Sequence, residues 1–270
     1  MKFLLIITVL LFVVACSTAN FNKSADFRKI DNVVYKQTGL TTLTGDIYIP
    51  NTDGLKPAVV VVHGGGWSNR SGDMEGISTK LARAGFVVFN ITYRLTPESQ
   101  FPTPVNDVSD ALAWLYHHAD LYEVDANNIN GWGYSAGAHL ILMAGLDKQK
   151  FPHLRSIVAG GTPADLTQWP NSSIVIKLIG KPMAKAQTKW QDASPINHVV
   201  KNSPPVFLYH GEWDQLVEPE QMALMKNALE KQAVLVETYT VPFLGHVLTY
   251  ALAGGAERRG IEFLREQKKQ

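Results

Sequence analysis

The chain has 270 residues, a length that suits one large α/β domain. Hydrophobic residues make up 46% of it, enough for a substantial core, while 25 basic and 24 acidic residues leave a formal net charge of +1. This even balance, with no basic stripe along the sequence, excludes a charge-driven nucleic-acid surface, and we predict no nucleic-acid partner.

The chain opens with the pattern of an export signal. Lys2 supplies a short positive region, and residues 3–14 form an apolar run that is too short to cross a bilayer comfortably. The run ends in Val-Val-Ala-Cys, which resembles the lipobox of bacterial lipoproteins, where the cysteine is lipidated and becomes the new N-terminus. We therefore predict a lipoprotein signal peptide at residues 1–15 and lipidation of Cys16.

Expectations about location follow from Cys16. Residues 16–28 are predicted to form a polar tether, so that acyl chains, and not the protein surface, anchor the chain to a membrane. Ser17 after the cysteine favours the outer membrane, which predicts a location in the cell envelope. The alternative is an ordinary cleaved signal in which Cys16 has no role.

From residue 29 to residue 270, stretches typical of strands alternate with stretches typical of helices, as one α/β domain requires. Strands are predicted at 33–35, 43–49, 58–62, 86–91, 129–133, 157–160, 206–209 and 234–239, and helices at 77–84, 105–118, 136–146, 218–231 and 257–268. This alternation predicts a parallel sheet covered by helices on both faces. In such sheets, sites form at the carboxyl ends of the strands.

The pentapeptide Gly133-Tyr134-Ser135-Ala136-Gly137 lies between a predicted strand and a predicted helix. G-x-S-x-G in that setting is typical of a nucleophile elbow, a strained turn that lifts the serine hydroxyl of Ser135 clear of the sheet. Residues 131–136 also satisfy the dinucleotide-binding pattern G-x-G-x-x-A. That pattern opens the first strand–helix unit of a domain, whereas this one follows several strands, so we predict no nucleotide site. No metal-binding spacing occurs either, and we predict no metal.

A glycine loop, His-Gly-Gly-Gly-Trp at residues 63–67, follows the predicted strand 58–62. Bare backbone N–H groups in such a loop can face a developing oxyanion. We predict that the N–H groups of Gly65 and Gly66, with that of Ala136 after the nucleophile, form an oxyanion hole. A flexible turn is the alternative interpretation of the glycines.

A serine hydroxyl is a poor nucleophile without a base, and the base needs a third group to orient it. Asp214 and His246 both follow Ser135 in the chain and lie in loops directly after predicted strands, so we predict Ser135, Asp214 and His246 as the catalytic residues. Glu212 and Glu218 are alternative acids. The seven other histidines fall on the glycine loop, on helices, at a strand end or on polar connections.

Two aromatic residues and one long segment are candidates for contact with substrate. Trp67 and Tyr134 are predicted to flank the substrate pocket, although each fits a core aromatic equally well. Residues 165–202 break the alternation of strands and helices and are predicted to form a cap-like insertion over the site.

Together these motifs resemble the α/β-hydrolase superfamily, and within it the hormone-sensitive-lipase-like carboxylesterases and the related feruloyl/acetyl esterase group. The residues that carry the resemblance are 63–67, 90–95, 97–98, 101–102, Asp107, 133–137, 192–195, 210–214 and 245–246. The resemblance runs from about residue 33 to residue 264. It implies a doubly wound, mostly parallel sheet, no cofactor, and a framework pairing of Arg94 with Asp107.

The implied activity is that of a serine carboxylesterase that hydrolyses short-chain esters, of acetyl or feruloyl type, through an acyl-enzyme. The expected partner is a small-molecule ester. Two alternatives use the same residues: an amide or peptide hydrolase of the prolyl-oligopeptidase or arylformamidase kind, and a surface-anchored binding lipoprotein that performs no chemistry. The sequence leaves the oligomeric state open.

Overall fold

The computed structural model describes residues 27–147, 151 and 154–267. The predicted signal peptide, Cys16 and most of the predicted tether lie outside the described residues. Phe27 and Arg28, the last two residues of that tether, lie in the first strand, where they pair with Pro50 and Ile49.

The described residues form eight strands and eight α-helices. The strands are β1 (Phe27–Thr38), β2 (Thr41–Pro50), β3 (Lys56–Val62), β4 (Val87–Ile91), β5 (Val124–Tyr134), β6 (Leu154–Gly160), β7 (Val206–Gly211) and β8 (Val236–Val241). The helices are α1 (Glu75–Arg83), α2 (Thr103–His117), α3 (Ala136–Leu146), α4 (Ser173–Ile179), α5 (Gln187–Asp192), α6 (Glu220–Lys231), α7 (His246–Leu252) and α8 (Gly254–Glu266). None of these helices is long and apolar enough to cross a bilayer.

All eight strands belong to one sheet, in the order β1-β2-β4-β3-β5-β6-β7-β8. The first two strands are antiparallel to each other, and β2 is antiparallel to β4, whereas β4, β3, β5, β6, β7 and β8 all run parallel. The carboxyl ends of six strands therefore meet at one edge of the sheet. This is the edge where a site is expected.

Helices cover both faces of the sheet. On β3, Val60 and Val62 face a core that includes residues of α2 and α3, while Val59 and Val61 face a second core that includes residues of α1 and α8. Because side chains alternate across a strand, β3 is apolar at successive positions in order to fill both cores. The predicted α/β architecture is confirmed.

A buried ion pair supports the framework beside the site. Asp107 in α2 is fully buried, and the Arg94 guanidinium donates to both of its carboxylate oxygens, from Nε at 2.8 Å and from Nη2 at 2.6 Å. The ammonium group of Lys36 in β1 donates to the same carboxylate at 2.7 Å. The pairing that the family resemblance implied is confirmed, and it connects α2 to β1 and to the chain after β4.

Residues 165–202 fold into α4, α5 and three 3₁₀ turns, and they are hydrogen-bonded to the core. The side-chain oxygen of Gln221 in α6 accepts the backbone N–H of Asp165 at 2.8 Å. Within the segment, the Ser194 hydroxyl accepts the N–H of Leu166 at 3.0 Å. This bond joins the beginning of the segment to its later part. We refer to residues 165–202 as the cap segment.

Candidate active site

Ser135 occupies the sharp turn between β5 and α3. Its φ of 55° and ψ of −122° lie in a region that L-residues with side chains rarely adopt, as expected of an elbow held under strain. The neighbouring glycines make the turn possible. A Cβ on Gly133 would lie 2.4 Å from the carbonyl oxygen of Gly137, and a Cβ on Gly137 would lie 2.1 Å from that of Val62.

The structure brings together the three side chains that the sequence singled out as nucleophile, base and acid. His246 Nε2 lies 2.8 Å from Ser135 Oγ, and His246 Nδ1 lies 2.6 Å from Asp214 Oδ2. A carboxylate can only accept, so Nδ1 carries the hydrogen and the lone pair of Nε2 faces the serine hydroxyl. The three residues come from the β5–α3 turn, the loop after β7 and the first residue of α7.

Asp214 is held as an anion although it is buried. Its Oδ1 accepts the N–H groups of Leu216 at 3.0 Å and Val217 at 2.9 Å. Burial opposes ionisation, but the imidazoles of His210 and His246 and the Val217 N–H together hold the pKa of Asp214 well below its usual range. A charged carboxylate therefore faces His246 at any pH near neutrality.

A second histidine, His210, contacts Asp214. Sequence reasoning did not predict this contact. His210 Nε2 lies 2.7 Å from the carbonyl oxygen of Val217 and 3.2 Å from Asp214 Oδ2. Because a carbonyl only accepts, Nε2 carries the hydrogen and presents it to both oxygens. The only sequence signal was the position of His210 at the end of β7, four residues before the acid.

The glycine loop lies beside the elbow. Gly65, Gly66 and Trp67 follow one another with φ values of 113°, 56° and 58°, and a Cβ on Gly65 would lie 2.0 Å from the carbonyl oxygen of Asn69. Gly65, Gly66 and Ala136 all line the same cavity as Ser135. The structure thus places the three residues in the wall of the cavity that holds the nucleophile, and the oxyanion-hole role of their N–H groups stays a prediction.

Trp67 lines the cavity, but its indole is also a structural connection. It is 3% exposed, and its indole N–H donates to Nδ1 of His139 in α3 at 3.2 Å, while His139 Nε2 donates to the carbonyl oxygen of Ala193 in the cap segment at 2.8 Å. One buried imidazole therefore joins the glycine loop, the helix of the elbow and the cap segment. Burial lowers the pKa of His139 to about 4, so this imidazole is neutral.

Tyr134 likewise combines a place in the cavity wall with a structural bond. Its hydroxyl donates to the backbone carbonyl oxygen of His246 at 2.6 Å, and burial raises its pKa. Gly161, which follows β6, permits this packing: with a φ of 54°, a Cβ there would lie 3.0 Å from both the His246 ring and the Tyr134 hydroxyl. Sequence reasoning did not single out Gly161.

The cavity over Ser135 has a volume of about 510 Å³, with Ser135 and His246 in its wall. The cap segment contributes Trp169, Ile174 and Val175 to it, and the side beyond His246 is lined by Leu216, Val217, Val247 and Tyr250. The walls are mostly apolar. Within the part of the chain that the structure describes, no group of three metal-ligating side chains could hold a metal ion.

The two alternative acids make other contacts. Glu212 accepts the backbone N–H of Phe243 at 2.9 Å, and Glu218 accepts the indole N–H of Trp169 at 2.9 Å. The first contact joins the loops that carry Asp214 and His246, and the second joins the cap segment to the start of α6. The carboxylate that faces His246 is that of Asp214.

Comparison with known proteins identifies the family. The BD-FAE family model matches residues 45–229, well over half of the chain, and the match includes the glycine loop, Ser135 and Asp214. The chain belongs to the BD-FAE family. His246, the third residue of the site, lies after the end of the matched region.

Two curated relatives of this BD-FAE protein are named as ester hydrolases. It is 29% identical over 185 residues to the esterase LipC of Mycobacterium tuberculosis, covering 61% of this chain and 46% of LipC. It is 28% identical over 223 residues to a probable carboxylic ester hydrolase of the same organism, LipM, covering 75% of this chain and 51% of LipM. The chain spans about half the length of the curated relatives it matches.

Solved structures confirm the α/β-hydrolase fold. A truncated form of a carbohydrate esterase from gut microbiota superposes on the BD-FAE chain with a TM-score of 0.80 at 24% identity. The superposition covers 92% of this chain and 99% of the other.

Proposed function

We propose that the protein is a serine carboxylesterase. The observation that carries this proposal is the hydrogen-bonded series from Ser135 Oγ through His246 to a buried, ionised Asp214, at the edge of an apolar cavity. Membership of the BD-FAE family and the names of LipC and LipM, an esterase and a probable carboxylic ester hydrolase, support the same activity.

The proposed reaction proceeds in two halves. Ser135 Oγ attacks the ester carbonyl carbon while its proton moves to His246 Nε2, and Asp214 stabilises the imidazolium that forms. The negative charge on the carbonyl oxygen is met by the N–H groups of Gly65, Gly66 and Ala136. The tetrahedral intermediate then collapses, and His246 returns the proton to the departing alcohol oxygen. Water repeats the sequence on the acyl-enzyme, releasing the acid and restoring the serine.

We propose that the acyl group is short. The cavity is shared between the acyl and alcohol parts of the ester, and the cap segment bounds it with the rings and branches of Trp169, Ile174 and Val175. A series of p-nitrophenyl esters tests this: kcat/KM should be higher for acetyl and butyryl esters than for the dodecanoyl ester. Faster turnover of the dodecanoyl ester would refute it.

A serine-directed phosphonate probe tests the activity itself. The probe should label the wild-type protein on Ser135, and Ser135→Ala should lose both the label and ester hydrolysis. Faster hydrolysis of aminoacyl or formyl amides than of esters would indicate an amide hydrolase. Retained hydrolysis in Ser135→Ala would exclude the proposed nucleophile.

We propose in addition that the mature protein is anchored through lipidated Cys16 in the cell envelope. The support is the sequence pattern of residues 1–17 alone, because these residues lie outside the described part of the chain. Cys16→Ser should move the protein from the membrane fraction to the soluble fraction of the host. Unchanged membrane fractionation of that variant would refute the anchor.

A further inference from the structure

The proposed reaction uses one histidine, His246, but the imidazole of His210 also lies against the acid. His210 is 1% exposed, and its Nε2 donates to the carbonyl oxygen of Val217 at 2.7 Å. The same nitrogen lies 3.2 Å from Asp214 Oδ2. An apolar side chain would fill this place without burying a polar group, so the imidazole indicates a role that packing alone does not supply.

His210 lies in a rigid part of the sheet, whereas the acid lies in a loop. Within β7, His210 pairs with Thr240 of β8. The chain just after it is closely packed, because a Cβ on Gly211 would lie 2.3 Å from the carbonyl oxygen of Leu244. Asp214 follows in the loop after β7. A side chain that starts from the strand can therefore hold this loop with more precision than another loop residue could.

Val217 connects the imidazole to the carboxylate. Its N–H donates to Asp214 Oδ1 at 2.9 Å, while its carbonyl oxygen accepts from His210. The N–H group of Val217 thus holds the acid, and its carbonyl group is held by the strand. Val217 also lines the cavity over Ser135, so we expect a displacement of this residue to move the carboxylate and the cavity wall together.

Only one nitrogen of the His210 ring makes these contacts. Its Nδ1 is buried and has no hydrogen-bond partner among the residues that the structure describes. The contacts with Val217 and with Asp214 therefore both involve the Nε2–H group. It follows that another side chain could replace the histidine only if it placed an N–H group at the position of Nε2.

We infer that His210 is a positioning residue for the acid: its N–H group holds Val217 and Asp214 Oδ2, so that the carboxylate keeps its orientation toward His246 Nδ1. The inference rests on the proposed esterase function. His210 is not among the residues that line the cavity, so it acts through Asp214 and not on the substrate. Loss of its N–H group should therefore lower kcat and leave KM unchanged, because a small displacement of a catalytic group slows the chemical step.

Two polar substitutions place an amide N–H group at different distances from the strand. In His210→Gln the amide nitrogen can reach the position of Nε2, whereas in His210→Asn it reaches only the position of Nδ1. With p-nitrophenyl acetate as substrate, His210→Asn should lower kcat about tenfold to a hundredfold at a KM within about twofold of that of the wild type, and His210→Gln should keep kcat within about threefold.

The matched control is a histidine that binds a backbone carbonyl at another place in the fold. His118, at the end of α2, donates from Nδ1 to the carbonyl oxygen of Trp114 at 2.7 Å. His118→Leu removes that hydrogen bond and should leave both kcat and KM unchanged. Urea unfolding gives the folded fraction of each variant, so that a loss of folded protein is not counted as a fall in kcat.

A double-mutant cycle with Asp214→Asn separates positioning from a purely structural role. If His210 acts through the charge of the acid, His210→Asn should lower kcat by less than about twofold in the Asp214→Asn background. An equal fall in both backgrounds would show that the imidazole stabilises the fold and does not position the acid.

Three further results would overturn the inference: an unchanged kcat in His210→Asn, a fall in kcat that is as large in His210→Gln as in His210→Asn, and a raised KM at unchanged kcat. If His210→Asn does not fold, His210→Leu, which also lacks the N–H group, takes its place with the same expectations. A folded His210→Gln protein that loses kcat tenfold would contradict the inference in every case. Failure of the esterase proposal is distinguishable, because the wild type would then hydrolyse no p-nitrophenyl acetate and a phosphonate would leave Ser135 unlabelled.

Discussion

The hydroxyl of Tyr134 donates a hydrogen bond to the backbone carbonyl oxygen of His246 at 2.6 Å. Tyr134 directly precedes Ser135, and its ring lies 5.1 Å from the imidazole, centroid to centroid. One side chain therefore connects the strand that carries the nucleophile to the first turn of the helix that carries the base. We expect the distance between Ser135 Oγ and His246 Nε2, which is 2.8 Å, to depend on this connection.

Tyr134→Phe keeps the ring and removes the hydrogen bond. The His246 carbonyl keeps its place in the first turn of α7, so the loss is that of one hydrogen bond, and the free energy of unfolding in urea should fall by about 0.5–1.5 kcal/mol. We expect kcat on ethyl acetate to fall several-fold with little change in KM, because the base is less well positioned. A raised KM at unchanged kcat would instead support the sequence interpretation of Tyr134 as a substrate-binding residue.

Asp214→Asn should remove the negative charge of the acid while keeping its hydrogen bonds to the backbone. The asparagine oxygen can still accept the N–H groups of Leu216 and Val217, but its amide hydrogens would face His246 and favour the wrong tautomer. We expect kcat to fall by about 10³–10⁴ with KM little changed, as in other serine hydrolases with this arrangement. The matched control is Glu212→Gln, which keeps its contact with the Phe243 N–H and should change kcat by less than about threefold. A larger fall in kcat for Glu212→Gln than for Asp214→Asn would identify Glu212, and not Asp214, as the acid.

Stability should fall as the pH drops below neutrality, because two histidines are buried in the neutral form. Burial lowers the pKa of both His63 and His139 from 6.5 to about 4. Between these values the unfolded chain binds protons that the folded chain excludes, so the stability present above pH 6.5 is progressively lost down to about pH 4. Each histidine contributes a slope of about 1.4 kcal/mol per pH unit, which amounts to about 3 kcal/mol per histidine between pH 6.5 and about 4.

His139→Gln tests this pH dependence. Glutamine can accept from the Trp67 indole and donate to the Ala193 carbonyl, but it does not titrate. Urea unfolding followed between pH 7.5 and 4.5 should therefore show a slope lower by about 1.4 kcal/mol per pH unit in the variant. Parallel curves for the two proteins would contradict the prediction.

Arg94→Ala should destabilise the protein strongly while leaving the cavity intact. The substitution removes two charge-assisted hydrogen bonds from the fully buried Asp107 carboxylate and leaves Lys36 as its remaining cationic partner, so we expect a cost of about 2–4 kcal/mol. Asp107→Asn in the same background should recover part of the loss, because the buried carboxylate, which then has one cationic partner instead of two, is absent. A cost below about 1 kcal/mol in urea unfolding would show that Arg94 is dispensable.

The elements predicted best from the sequence are buried ones, whose residues are almost all apolar. Helix α3 was predicted at 136–146 and forms there, and β3 follows from its unbroken apolar run. The short helices α4, α5 and α7 were not predicted, because six or seven residues display too little periodicity and are stabilised by tertiary contacts. The start of α6 was predicted two residues early, before Pro219.

The candidate site was predicted as a set of residues but not as a set of contacts. The nucleophile elbow and the glycine loop are tight turns that require glycines at fixed positions. Those glycines are visible in the local sequence, so both turns could be predicted from it. The approach of His210 to Asp214, and the bond from Trp67 through His139 to Ala193, depend on how separate loops pack, which no local pattern records. Lipidation of Cys16 stays a prediction.

The attachment of the cap segment has a consequence for the speed of the proposed esterase. Hydrogen bonds from Gln221 and His139 connect it to the core, so we expect it to act as part of the wall and not as a hinged lid. Substrate entry and product exit then need no large opening motion of the kind that limits turnover in lidded enzymes. Once the protein is saturated with ester, added glycerol or sucrose should leave its rate unaffected by solvent viscosity, since bond making and breaking at Ser135 set the pace.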